Sequence, residues 1–220
     1  MNITLEDIKN NPEVKILLES GQSQLDVLGF TEHSFRHAGI VSRVAGYILK
    51  EIGCEQREVE LAKIAGYMHD IGNSVNRVDH PNNGAVLAYN MLLRMGMDIS
   101  EAAQLMLAIG NHDEQAGIPV SDICAALILA DKSDVHRSRV RNKDFATFDI
   151  HDRVNYAVVE SEVKIDNKRK VVTLDLNIDT TICPLMEYFE IFLVRMMMCR
   201  RAAVFLNNTF ELIVNKTKLL

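Results

Sequence analysis

The chain has 220 residues, enough for one sizeable hydrophobic core or for one domain with an appendage. Hydrophobic residues make up 48% and charged residues 25%, with only 4 Pro and 11 Gly, so collagenous and proline-rich disordered classes are excluded. The 24 basic and 30 acidic side chains leave a net charge of −6, which argues against duplex nucleic acid as a partner, because neutralising phosphates takes a concentrated basic surface.

In chain order, Asn11-Pro12 signals a helix start, and that helix is expected to reach Leu28 with Gly21 as a weak point. Thr31 is the expected cap of the next helix, whose apolar stripe is His37, Ile40, Val41, Val44, Ala45 and Ile48, and which Gly53 ends. Gln56 to Ile71 reads as helical with Leu61, Ala62, Ala65 and Met68 inward, stopped by Gly72. After a loop from Asn73 to Asp79, His80-Pro81 opens a helix to about Met95. Ser100 is expected to cap another reaching Ile109, closed by Gly110-Asn111-His112. Ser121 or Asp122 opens a helix that should run to about Arg141.

Beyond a polar stretch from Lys143 to Asp152, the periodicity changes. Val172, Leu174, Leu176 and Ile178 alternate with polar residues and face Val159, Val163 and Ile165 across Asp166 to Arg169, the pattern of a half-buried hairpin. Pro184 then starts a long helix to about Leu206, and Phe210 to Val214 suggests a short strand. The expected fold is mainly α: an N-terminal helical segment (1–30), a helical bundle (31–142) and a small C-terminal α+β extension (153–220).

Cys54, Cys124, Cys183 and Cys199 show no paired CxxC spacing and read as reduced core cysteines. No secretory signal is visible, and the stretch from Pro184 to Cys199 is too short and too charged to span a bilayer. A soluble, cytoplasmic protein is the expectation.

The anomaly is a set of ionisable groups on buried stripes. Asp131 lies in Ala-Leu-Ile-Leu-Ala-Asp, on one face with Cys124, Leu127, Ile128 and Val135, where a bare carboxylate is costly unless paired or metal-bound. His37 heads its helix stripe, His69-Asp70 ends an apolar helix, and His112 ends another. A lone inward His is more often a hydrogen-bonded core residue than a ligand. Together, however, these residues are what facing helices need to hold metal ions, and imidazole with carboxylate but no thiolate suits Fe, Mn, Zn or Co.

His37, the doublet in Ala-Gly-Tyr-Met-His69-Asp70-Ile-Gly, and Asp131 in Leu-Ala-Asp-Lys resemble the H…HD…D signature of HD-domain metal-dependent phosphohydrolases, from about Thr31 to Arg141. His80 in His-Pro-Asn-Asn-Gly-Ala and His112 in Gly-Asn-His-Asp-Glu resemble the extra histidines of two-metal members. The resemblance implies a five-helix core and a bridging Asp70, with His37, His69 and Asp131 completing one site and His80 and His112 the other. It also implies two divalent ions, iron first, with Mn, Co, Zn or Mg as alternatives. By motif order the nearest members are bacterial HD proteins that split dinucleoside polyphosphates. The chain departs from many relatives in having Asn73 where a Lys stands three residues after the doublet, and it lacks a Gly-Tyr-Pro after His112, which disfavours the cyclic-dinucleotide branch.

The implied reaction is attack of a metal-bridging hydroxide on a phosphoester or phosphoanhydride of a nucleotide or small phosphorylated metabolite. Asp70 would serve it directly, and Lys132 first, then Arg137, are the expected cations for the leaving oxygen, with Arg36 and His136 as further candidates. Asp134 and His136 could orient ligands. His33 falls outside the signature, Asp113 and Glu114 read as loop carboxylates, His151 as inert, and Met196 to Met198 as core or interface filling. The loops from Asn73 to Asp79 and Asp113 to Pro119 are expected to flank the opening. Two alternatives share the ligand set: a di-iron oxygenase of the HD fold, and a metal-bound sensory module without catalysis. Expected partners are a small phosphorylated substrate and a second copy of the chain, with neither duplex nucleic acid nor membrane.

Overall fold

The computed structural model describes residues 2–220. Its centre is α7 (Asp122–Ser133), a helix with no polar face, so it can only be stable surrounded. Every residue from Ile123 to Ser133 is buried, and α3 (Phe35–Ile52), α4 (Gln56–Met68), α6 (Ile99–Gly110) and α9 (Leu185–Phe205) pack around it. The helix α5 (His80–Arg94) lies against α6, and α1 (Leu5–Asn10) and α2 (Pro12–Val27) close the bundle from the N-terminal side.

Several boundaries differ from the sequence reading for identifiable reasons. The six-residue helix α1 is too short to show a period; its signal is the reciprocal cap in which Thr4 and Asp7 bond each other's backbone N–H. Gly21 does not interrupt α2. A Cβ there would sit 3.2 Å from that of Asn73, so the glycine serves close packing on the turn after α4. Ser34, not Thr31, caps α3 by accepting from the Arg36 N–H, and Asp98, not Ser100, caps α6 by accepting from Ser100 and Glu101 N–H groups.

The helix α4 stops at Met68 rather than Ile71, and a 3₁₀ turn follows at Ile71–Ser74. The helix α7 stops at Ser133, eight residues before Arg141. Asp134 leaves helical backbone, and its carbonyl accepts instead from Arg139 Nη1 at 2.7 Å.

The polar stretch taken as a linker holds a 3₁₀ turn and the start of α8 (Ile150–Ala157), capped by Asp149. Phe145 and Phe148 are not isolated anchors but stack with Tyr156 of α8. Strands β1 (Val158–Asp166) and β2 (Val171–Ile178) form the expected antiparallel hairpin, Val163 opposite Leu174 and Ile165 opposite Val172. Val172, Leu174, Leu176 and Ile178 are buried as their alternation requires. The strand β3 (Thr209–Val214) pairs parallel with β2, a geometry that needs a crossover, and α9 is that crossover. A short β4 (Thr217–Lys218) completes the order β1-β2-β3-β4. The α+β extension is thereby fastened to the bundle through α9 on α7. Among the described residues no helix is long and apolar enough to cross a membrane, and all four cysteines are free.

Candidate metal centre

Five helices deliver six polar groups to the same buried point. His37 comes from the first turn of α3, His69 and Asp70 from the end of α4, His80 from the first residue of α5, His112 from just past α6, and Asp131 from the last turn of α7. All six are buried, His37 and His69 completely. Helix ends collect here because their chain reversals bring short side chains to one spot while the helix bodies make the core.

The four imidazoles are held from behind. His69 Nδ1–H donates to the Gly66 carbonyl at 2.9 Å, His80 Nδ1–H to the Arg77 carbonyl at 3.0 Å, and His112 Nδ1–H to the Ile109 carbonyl at 2.6 Å. His37 Nδ1–H donates to Asp134 Oδ2 at 2.7 Å, so Asp134 has the orienting role its spacing suggests. Carbonyls and carboxylates only accept, so each Nδ1 must carry the proton, and each Nε2 is turned toward the centre as a donor to a cation.

Asp70 sits in the middle with its two oxygens facing different ways. Oδ2 lies 3.2 Å from His69 Nε2 and 3.6 Å from His37 Nε2, whereas Oδ1 lies 3.5 Å from His80 Nε2. Asp131 Oδ1 faces the first pair, 3.3 Å from His37 Nε2 and 3.7 Å from His69 Nε2. The donor atoms form three mutually close triads, His37-His69-Asp70, His69-His112-Asp131 and Asp70-His80-His112. His37 Nε2, His69 Nε2 and Asp70 Oδ2 are buried without a hydrogen-bond partner, a costly state that a divalent cation among them would relieve. The donor set therefore fits metal.

Without metal the cluster holds protons instead. Burial alone would lower the His69 pKa, but the Asp70 and Asp131 carboxylates outweigh it and push it up to about 10. Burial and the nearby His69 drop His112 to about 3. Both carboxylates stay ionised against burial, Asp70 beside His69 and Asp131 beside Lys132. Ligation must expel the His69 proton, so metal binding at neutral pH is expected to release about one proton and to tighten about tenfold per pH unit below that pKa. Isothermal titration calorimetry in buffers of different ionisation enthalpy measures it; a proton count of zero would contradict the trapped proton.

Around the cluster lies a cavity of about 10 Å³, room for a single water, that His33, Arg77, Asp113, Glu114, Lys132, Arg139 and Arg195 also line. His33, Arg77 and Arg195 are shared with an outer pocket of about 360 Å³, whose further walls include Phe30, Phe192, Asp149, His151, Asp152 and Asn155. His33 thus faces the cleft, and His151 is a wall residue rather than an inert linker position. Lys132 is buried and bonded to Glu114 and to Asp131 Oδ2 (2.7 Å), and Glu114 also pairs with Arg195 at 3.0 Å. Glu114 is therefore part of the cleft rather than a free loop carboxylate; Lys132 and Arg195 hold its pKa down at about 2 against burial.

Arg137 and His136 are not at the cluster. With α7 ending at Ser133, helical spacing no longer applies. Arg137 stacks on Tyr156 of α8, with its centre 5.0 Å from the ring, and His136 bonds the Val159 carbonyl. Arg139 points inward in Arg137's stead. Arg36, one residue before His37, pairs with Glu32 and Asp134 rather than with a ligand. Arg77, Arg139 and Arg195 were absent from the expected set. Arg77 lies in a loop and Arg195 is one of several charges along α9, so neither stands out in the local pattern.

The HD domain family model matches residues 31–136. Uncharacterized protein MJ1020 of Methanocaldococcus jannaschii is 28% identical over 189 residues, covering 76% of this chain and 72% of its own. The crystal structure of a predicted HD superfamily hydrolase from an uncultured Thermotogales bacterium is 28% identical, covers 56% of this chain and 67% of its own, and superposes with a TM-score of 0.45. His37, His69, Asp70, His80, His112 and Asp131 all fall inside the segment, residues 31–136, over which this chain matches the HD domain family.

Proposed function

We propose that the protein is a metal-dependent phosphohydrolase acting on a small phosphomonoester, a nucleotide or similar metabolite, at the Asp70 cluster. The observation that carries this reading is the Asp70 carboxylate, one oxygen turned to His37 and His69 and the other to His80. Two divalent ions, iron first for this donor set, held by His37, His69, Asp70 and Asp131 on one side and Asp70, His80 and His112 on the other, would supply an acidified water and fixed positive charge for phosphoryl oxygens.

The chain's own residues divide the remaining work. Lys132 is tied to Asp131 and Glu114, Arg195 to Glu114, and Arg139 to Asp134. Among the described residues Arg77 has no carboxylate partner; its Nη1 donates to Asn73 Oδ1 at 3.3 Å and lies 3.4 Å from His80 Nε2. The guanidinium therefore reaches the place left by the missing Lys at position 73 and is free to bind a phosphoryl oxygen. The protonated Lys132, raised by Asp131 and Glu114 against burial, adds positive charge to the wall.

Beyond the two shared arginines, the outer pocket offers the rings of Phe30 and Phe192 and the acceptors Asp149 and Asp152. Such walls favour an uncharged leaving group rich in hydroxyl or N–H donors and repel a second phosphate. Metal-loaded protein should release phosphate from nucleoside monophosphates or related monoesters without consuming oxygen. Oxygen uptake without phosphate release would instead support the di-iron oxygenase. Arg77→Ala should cut kcat/KM about 100-fold, chiefly through KM, with metal content unchanged.

A further inference from the structure

The face of α9 turned away from the bundle carries a regular stripe. Met186, Glu190, Leu193, Met197, Arg200 and Val204 recur at steps of four and three, the spacing of a coiled-coil seam, and all six are exposed. Tyr188, Phe192, Met196, Cys199, Ala202 and Ala203 bury the opposite face, and Arg195 from that inner side reaches Glu114 in the cleft. Met186, Leu193 and Val204 are 69%, 53% and 63% exposed, so the helix leaves a largely apolar seam about 30 Å long in water.

Two charges interrupt the seam, and their placement decides what covers it. Glu190 and Arg200 stand about 15 Å apart along the helix, too far to pair with each other, and among the described residues neither has an ion-pair partner. Run antiparallel against a second copy about the level of residue 195, the seam becomes its own complement. Met186 then meets Val204, Glu190 meets Arg200, and Leu193 meets Met197, each pair formed twice by the two-fold axis. A parallel arrangement would put Glu190 on Glu190 and Arg200 on Arg200, so the charges select one orientation and one register.

We propose that α9 is the dimer interface of this protein, docking on α9 of a second copy of the chain in an antiparallel pair. Because α9 also carries Arg195, each copy braces the helix that walls the other copy's neighbouring cleft from the outside, without lending it a side chain.

Sedimentation velocity on the full chain tests this. The protein should be a dimer, and Glu190→Arg and Arg200→Glu should each raise the dimer Kd at least about tenfold by setting like charges face to face, while the double variant Glu190→Arg/Arg200→Glu recovers the parent value. Glu190 and Arg200 are both exposed, and circular dichroism will show the fold kept. Leu193→Glu should leave a monomer. A wild-type monomer at every concentration, a dimer indifferent to Glu190→Arg, or a double variant no tighter than the single ones would each overturn the proposal.

Discussion

Replacing Asp70 with Ala is expected to remove metal and activity together. Its carboxylate offers a separate oxygen to each half of the cluster, Oδ2 toward His37 and His69 and Oδ1 toward His80. Asn73 Nδ2 donates to the same Oδ1 at 2.9 Å, which holds the group in that orientation. Without the carboxylate, four imidazoles face Asp131 alone, and a neutral or singly charged donor set cannot offset the desolvation of two dications. Metal measured by elemental analysis should fall to near zero per chain, and phosphate release should drop at least about 1,000-fold.

Asp70→Asn sharpens the test because it keeps the shape and removes only the charge, so its metal should be lost while the thermal transition stays cooperative. His33→Ala provides the control on the same cleft. His33 belongs to none of the donor triads and its Nδ1–H donates to the Thr31 carbonyl at 2.6 Å, so metal content should not change. Retained metal in both Asp70 variants would defeat the shared-carboxylate arrangement.

The contrast between Asp131 and Arg137 shows how far such a site is legible beforehand. Asp131 announces itself because its neighbours Ala125 to Ala130 are all apolar, and a carboxylate among them needs a partner whatever the tertiary fold. Helical spacing carried past Asp131 aims Arg137 at the cluster, but the helix ends at Ser133 and Arg139 takes the inward position. The same limit hid Arg77 and Arg195. Long cationic side chains reach the cleft from a loop and from a helix more than sixty residues after Asp131, and nothing in local periodicity encodes that meeting.

The α+β character of the tail followed from alternation in β2, but the parallel β2–β3 pairing did not. Pairing direction depends on α9 crossing over the sheet, a property of the assembled chain. Helix ends were least legible where a short polar side chain competed for the cap, as Ser34 did with Thr31 and Asp98 with Ser100.

Gly72→Ala should be the most damaging single methyl group in the chain's helical body. Gly72 lies in the 3₁₀ turn directly after the His69-Asp70 pair, and a Cβ there would fall well inside the contact distance of the His80 carbonyl oxygen and the Gly84 backbone nitrogen. Neither obstacle is a flexible side chain; both are backbone in the first turns of α5, so the helix itself must retreat. The reciprocal substitution is milder, because a Cβ on Gly84 would approach no closer than 3.2 Å to the Gly72 nitrogen and the His69 carbonyl.

This close approach of two glycines sets the distance between the end of α4 and the start of α5, and hence the 3.5 Å separation of His80 from Asp70. Gly72→Ala is therefore expected to destabilise the fold by about 3 kcal/mol, read as a lower urea midpoint at unchanged m, with Gly84→Ala costing about 1 kcal/mol. Whatever Gly72→Ala protein remains folded should bind metal through His37, His69 and Asp131 while losing the ion that His80 helps to hold. An unchanged midpoint would mean that α5 yields freely, and a full metal complement in the folded fraction would mean that His80 is not positioned by this contact.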